Sequence, residues 1–177
     1  MNTLLVAAMT ADGYIARTSD HLATAWTNPE DRSVFTDIVK PAGTMVMGYT
    51  TFMTTARKSP SVFTRSMPGR RLLVYTHHPH SVAGYPAIEA VTEPPSALVQ
   101  RLAGEAVDTL AVCGGTNVYT MFMAAGVVDE LYIDMQATLF GTGVALFNKP
   151  LVTRIALENT RRLGDNNILL HYKVRKD

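Results

Sequence analysis

The chain has 177 residues, 47% of them hydrophobic and 18% charged, which excludes the polar, highly charged signature of disorder and fits one compact unit over 1–177. Lysine and arginine number 16 against 15 aspartates and glutamates, so a formal charge of +1 is scattered and argues against nucleic-acid or anionic-membrane partners. The lone cysteine, Cys113, excludes an intrachain disulfide and a cysteine-built zinc site and suits a reducing, cytoplasmic compartment; neither a secretory start nor an apolar run of membrane length is expected.

The apolar run at 4–9, closed by Thr10-Ala11-Asp12-Gly13, predicts a first strand buried on both faces. Residues 13–27 lose periodicity and collect Arg17, Thr18, Ser19, Asp20 and His21, so they read as a long loop of the functional kind. Asn28-Pro29-Glu30-Asp31 predicts a helix start, with Asn28 as cap, Pro29 in the first turn and two carboxylates at the positive end of the dipole; the helix runs to about Lys40. Residues 44–47 predict a strand leading through Gly48 into a short helix, and 71–76 and 88–91 two more strands. A helix follows from Pro95 to Ala103, and a strand at 109–113 leads through Gly114-Gly115 into a helix at 117–125. This alternation predicts an α/β fold with a mostly parallel sheet. The last third changes character: 131–139, 155–162 and 168–174 are strand-like, and Gly164-Asp165-Asn166-Asn167 turns the last two into an antiparallel hairpin at the sheet's edge.

Gly114-Gly115-Thr116 follows a buried strand and precedes a helix, the arrangement in which backbone amides and the helix dipole hold a phosphate; a plain tight turn gives the same spelling. Met47-Gly48-Tyr49-Thr50-Thr51 is a second such transition. Two of them at strand ends can carry a pyrophosphate between them, since α/β sheets bind ligands beyond their strand C-termini. Asp31 shares a helical face with Phe35 and Ile38, which makes it either a solvated dipole partner or a partly buried proton donor. Asp134 interrupts the apolar strand Leu131-Tyr132-Ile133-Asp134-Met135, and alternation favours an outward-facing side chain there. His77, His78 and His80 sit on a turn, which favours a phosphate contact over a metal, and no metal site is expected. Trp26 anchors the long loop, Gly141-Thr142-Gly143 reads as a turn, and no nucleophile elbow is present.

Taken in order, these segments resemble the dihydrofolate reductase superfamily, including the reductase domain of riboflavin biosynthesis, over nearly the whole chain. The resemblance implies a central, mostly parallel mixed sheet with a C-terminal antiparallel hairpin and helices on both faces. Trp26-Thr27-Asn28-Pro29-Glu30-Asp31 looks like the segment that carries the substrate-binding acid, with Phe35 one turn later; Asp31 inherits the acid's role. Met47-Gly48-Tyr49-Thr50-Thr51-Phe52 is similar to the motif that touches cofactor phosphates. Pro68-Gly69-Arg70 is similar to the one whose arginine binds a substrate carboxylate. Cys113-Gly114-Gly115-Thr116-Asn117-Val118-Tyr119 matches the pyrophosphate cradle and the tyrosine beside the nicotinamide. The same resemblance sets Ala8 and Ile15 at the nicotinamide and Val6, Arg32, Phe35, Arg70 and Cys113 at the substrate. Tyr49 replaces the arginine that commonly grips the 2′-phosphate of NADPH, which leaves Thr50, Thr76 and His77 for that group. Arg32 stands where folate reductases have an apolar residue, and Asp134 replaces the threonine that bonds the acid. If Asp31 and Asp134 meet, one of them holds a proton near neutrality.

Asp12-Gly13-Tyr14-Ile15-Ala16, Val128-Asp129-Glu130-Leu131 and Leu139-Phe140-Gly141-Thr142-Gly143 with Phe147 resemble the riboflavin-type reductases. The family implies NADPH-dependent hydride transfer to a C=N bond of a pterin, dihydrofolate foremost. Its alternatives are reduction of a ribosylaminopyrimidine, with Arg32, Arg70 or Arg17 on the phosphate, or nucleotide binding without turnover. The partner is then a small molecule, a pterin or related pyrimidine, and the protein a monomer or homodimer with residues 13–27 closing over the ligands.

Overall fold

The computed structural model describes residues 1–58 and 69–176; Pro68 of the Pro68-Gly69-Arg70 segment lies outside the described residues. The first strand, β1 (Asn2–Thr10), sends alternate side chains to opposite faces. Leu5 and Ala7 join an apolar cluster with Leu98, Leu102 and Phe122, whereas Leu4 and Val6 join another with Val34, Val39 and Leu169. A strand that feeds two cores must be apolar at nearly every position, and this is why the 4–9 run shows no alternation.

The other strands are β2 (Tyr14–Ala16), β3 (Thr44–Gly48), β4 (Arg71–Tyr75), β5 (Ile88–Val91), β6 (Thr109–Val112), β7 (Glu130–Gln136), β8 (Val144–Ala145), β9 (Ile155–Arg162) and β10 (Asn167–Val174). Eight of them form one sheet in the order β5-β4-β3-β6-β1-β7-β10-β9. The pairings from β5 to β7 are parallel, and β10 runs antiparallel to both β7 and β9. Helices cover both faces. Two short helices, α1 (Asp31–Val34) and α2 (Lys40–Ala42), bracket a π-helical stretch (Phe35–Val39), and α3 (Tyr49–Lys58) lies on the same side of the sheet. On the other side lie α4 (Pro95–Gly104) and α5 (Thr116–Ala124).

Three local expectations are corrected. Asn28 does not cap the first helix with its side chain; its carbonyl accepts the Asp31 N–H at 3.0 Å, and helical geometry begins with Glu30 at the N-cap position. The inward face assigned to Asp31, Phe35 and Ile38 fails at Phe35, while Asp31 and Ile38 stay part-buried. The π-helical turn adds a residue to the repeat, so Val34 and Val39, five apart, are the buried pair, and Phe35 is 42% exposed. The strand expected to reach 139 stops at Gln136, because the Thr138 N–H turns back onto the Gln136 carbonyl at 2.7 Å.

Residues 13–27 are not wholly loop: β2 pairs antiparallel with β8 in a separate small sheet. That pairing depends on Gly143, where a Cβ would fall 2.4 Å from the Ala16 carbonyl oxygen, a backbone atom that cannot swing aside. Gly143→Ala is therefore expected to part β2 from β8 and to cost about 1–3 kcal/mol by overpacking. A lower urea midpoint, with faster amide exchange confined to residues 14–16 and 144–146, checks this.

Candidate active site

β3 continues outward through β4 to β5, whereas β6 inserts between β3 and β1. The order in which strands are added thus reverses at β6, and the C-terminal ends of the parallel strands β1, β3, β4 and β6 open on one rim, the position at which α/β sheets take ligands. A cavity of about 630 Å³ lies there. Its wall contains every residue to which the family resemblance gives a cofactor role: Ala8, Ile15, Gly48, Thr50, Thr51, Thr76, His77, Gly114, Gly115, Thr116, Asn117, Val118 and Tyr119, together with Cys113.

The floor is built from two glycines, one held by its backbone conformation and the other by a close neighbour. Gly114 has φ +123, a backbone state that side chains disfavour, and its carbonyl accepts the Gly48 N–H at 2.7 Å. A Cβ on Gly115 would lie 3.0 Å from Thr51 Oγ1. Gly115 is also the N-cap of α5 and offers no side-chain oxygen to its first turn, so amides at that end stay open to an outside acceptor. Among the described residues of the wall the basic side chains are His21, His77 and His78, and the acid is Glu93. The Glu93 carboxylate is engaged by Arg101, whose Nε donates to it at 2.9 Å, so it presents little net charge to an anion.

Residues 18–23 of the long loop roof the cavity. Phe140 holds that roof: the Arg17 guanidinium lies 4.3 Å from its ring centroid, and Trp26 packs edge-on at 5.1 Å. Asp12 fixes Phe140 in turn. Its carboxylate accepts the Phe140 and Gly141 N–H groups at 3.0 and 2.7 Å and the Thr10 hydroxyl at 2.6 Å, and the Thr10 bond leads in holding its pKa below the usual range.

Asp134 overturns the outward-facing expectation. Both faces of β7 are packed: Leu131 and Ile133 join the cluster under α4 and α5, and Asp134, in register with Ala8 and Leu169 on the face where Leu4, Val6 and Leu169 pack against Val34 and Val39, is fully buried. Its Oδ2 accepts Gln136 Nε2 at 2.7 Å, and Asn167 Nδ2 donates to its two oxygens at 3.1 and 3.3 Å. It also shares a hydrogen bond with the Asp31 carboxyl. Two carboxyls in contact need a proton between them. Desolvation, followed by the hydrogen bond and charge of Asp31, pushes Asp134 up to about 7, while Asn167 and Gln136 pull the other way. Asp31 is the part-exposed member, and Thr27 Oγ1 donates to its Oδ2 at 3.2 Å.

Tyr119 links this pair to the glycine floor. Its hydroxyl donates to the Val6 carbonyl at 2.7 Å, and a Cβ on Gly114 would lie 3.6 Å from that hydroxyl. Burial raises the phenol's pKa well above its ordinary value, and the charges of Cys113 and Asp31 act in the same direction. Burial likewise pushes the Cys113 thiol up to about 12, so it is a neutral wall group and no nucleophile.

Of the other residues placed at a substrate by resemblance, Val6 is buried in the core, Arg32 is exposed on α1, and Arg70 lies with its guanidinium 5.9 Å from the Phe35 ring centroid. Phe35 and Arg70 thus pair with one another at the surface, outside the cavity wall. Gln136 and Asn167 escape the sequence reading. The signal available for Gln136 is a second polar residue two positions after Asp134, on the same face of an apolar strand. Among the described residues no helix is long and apolar enough to cross a membrane, and no three His, Cys, Asp or Glu side chains converge as metal ligands.

The family model for the RibD C-terminal domain matches residues 3–169. Similar solved structures include a pyrimidine reductase-like protein of Corynebacterium diphtheriae, 16% identical with a TM-score of 0.79, over 99% of this chain and 92% of that one. The diaminohydroxyphosphoribosylaminopyrimidine deaminase/5-amino-6-(5-phosphoribosylamino)uracil reductase of Thermotoga maritima is 15% identical with a TM-score of 0.72, over 98% of this chain and 56% of that one. A dihydrofolate reductase of Enterococcus faecalis complexed with NADP(H) is 18% identical with a TM-score of 0.65, over 99% and 97%. The architecture is the dihydrofolate reductase-like fold.

Proposed function

The chain belongs to the RibD C-terminal domain family, and on that premise we propose that it is an NADPH-dependent reductase of a ribosylaminopyrimidine phosphate. The observation that carries the reading is the cavity floored by paired glycines; Asp31 and Asp134 stand outside its wall and approach it through Tyr119, a wall residue within electrostatic range of Asp31. The family match moves the reading from dihydrofolate, the first expectation from sequence, to the aminopyrimidine.

NADPH, when bound, supplies the hydride. The residues present fit such a cofactor, because Gly114 and Gly115 leave room for a pyrophosphate against Thr51 and the start of α5. Thr50, Thr76 and His77 are the candidates for the 2′-phosphate, and Ala8, Ile15 and Tyr119 for the nicotinamide end. Thr18, Ser19 and residues 21–23 of the long loop line the same cavity. Reduction of the opened ribose at C1′ adds two electrons and one hydrogen as hydride to carbon, and one proton to the attached heteroatom. Asp31, part-exposed where Asp134 is buried, is the candidate to deliver that proton, and Asp134, pushed up to about 7, is the group that holds one near neutrality. Arg32 and Arg70, one on α1 and one against Phe35, are candidates for the substrate phosphate.

Loss of reduced-nicotinamide absorbance on a substrate panel tests the reading. Turnover is expected with 5-amino-6-(5-phosphoribosylamino)uracil and NADPH. Turnover of dihydrofolate alone would restore the pterin reading, and tight NADPH binding without turnover of either would reduce the protein to a nucleotide-binding relative.

A further inference from the structure

Gln136 ends β7 and is 1% exposed. A primary amide at that depth needs partners at both ends, and here they lie on different elements. Nε2 donates to Asp134 Oδ2 at 2.7 Å, while Oε1 accepts the backbone N–H of Asn28 at 3.1 Å. Asn28 stands three residues before Asp31, and its carbonyl accepts the Asp31 N–H at 3.0 Å. One side chain therefore ties an oxygen of the buried carboxyl to the backbone that carries the part-exposed one. We propose that Gln136 is a positioning residue, clamping Asp134 to the Asn28 backbone and thereby setting the contact between the two carboxyls.

The inference rests on the reading of that pair as the proton source and adds to it the device that holds the pair together. Asp134 is faced by Asp31 from α1, by Asn167 from β10 and by Gln136 from its own strand. At the β1 positions paired with 134 and 136 stand Ala8 and Thr10, neither of which titrates, and Tyr119 of α5 lies within electrostatic range of Asp31. Apart from Asp31, then, the groups that bond Asp134 are two neutral amides. Gln136 is the one of them that also reaches the segment leading into α1. A residue that merely filled space could be exchanged for one of equal shape without moving a titration.

The test uses the full chain with Gln136→Met, which keeps shape and loses both polar ends, and Gln136→Glu, which keeps an oxygen for Asn28 and alters the end on Asp134. Carboxyl carbon NMR titration of the unliganded protein reads Asp134 directly, and the pH profile of kcat, with KM for NADPH, reads the reaction. In Gln136→Met the Asp134 midpoint is expected to rise by about one pH unit, since a donor to the carboxylate is lost. The matching limb of the kcat profile moves with it, and KM stays within about twofold, because the cavity wall is untouched. In Gln136→Glu the midpoint rises at least as far, because a further carboxyl joins the pair. An unmoved Asp134 midpoint overturns the proposal, whatever happens to kcat. If Gln136→Met does not fold, the Gln136→Glu midpoint decides. If the wild type turns over no substrate on the panel, the proposed reaction fails while the NMR midpoints still judge Gln136.

Discussion

Asp31→Asn is expected to lower kcat for the aminopyrimidine ribotide by about 10²- to 10⁴-fold, the usual worth of a positioned general acid, while NADPH affinity stays within about twofold of wild type. The asymmetry follows from position. Asp31 contacts Asp134 and Thr27, whereas the glycine floor and the hydroxyls around it come from β3, β6, α3 and α5. An amide at 31 can still hydrogen-bond Asp134 and hold the helix start, but it has no proton to give at neutral pH. Single-turnover kinetics with saturating NADPH, together with fluorescence titration of the cofactor, separate the two quantities. Wild-type kcat in the variant would remove Asp31 from the chemistry, and a parallel collapse of cofactor binding would make its role structural.

Asp134→Asn is expected to stabilise the protein at neutral and alkaline pH and to remove a decline in stability between about pH 4 and 7. The folded carboxyl keeps its proton up to about 7, whereas the unfolded one releases it near the ordinary aspartate value of 3.8. Between those values the native state binds more protons than the unfolded state, so stability falls as pH rises. The contribution is complete below the lower value and has been lost above the higher one. The difference amounts to at most about 4 kcal/mol. Asparagine cannot ionise, and its oxygen can still accept from Gln136 or Asn167. Urea unfolding of both proteins at pH 4, 5.5, 7 and 8 reads the effect as a gap that opens with pH. Parallel curves would mean that Asp134 is ionised in the fold. An acid buried at a cost in stability fits a site built for proton transfer.

The element pattern was legible because it rests on local physics. β5 and β9 fall on the predicted residues, and the other main-sheet strands and helices lie close to them, since an apolar run or a Pro-marked helix start acts over a few residues. The paired glycines after β6 could be read as a place for backbone to approach a ligand, because φ +123 at Gly114 is a local demand. Local rules failed where a residue's surroundings come from elsewhere in the chain. Alternation marks Asp134 as outward on a sheet with one wet face, but apolar clusters pack against both faces of β7. A 3.6-residue repeat turns Phe35 inward, but the π-helical turn buries Val34 and Val39 instead.

From the order of residues alone come the alternating α/β elements, the closing hairpin and the glycine and hydroxyl groups of the cavity, because each depends on neighbours a few positions away. The meeting of Asp31 with Asp134, the amide of Gln136 that bridges 134 to 28, and the Phe140 clamp on the loop join groups about 100 residues apart. Such contacts are decided by which strands lie side by side and which faces they bury, and only the folded chain sets that.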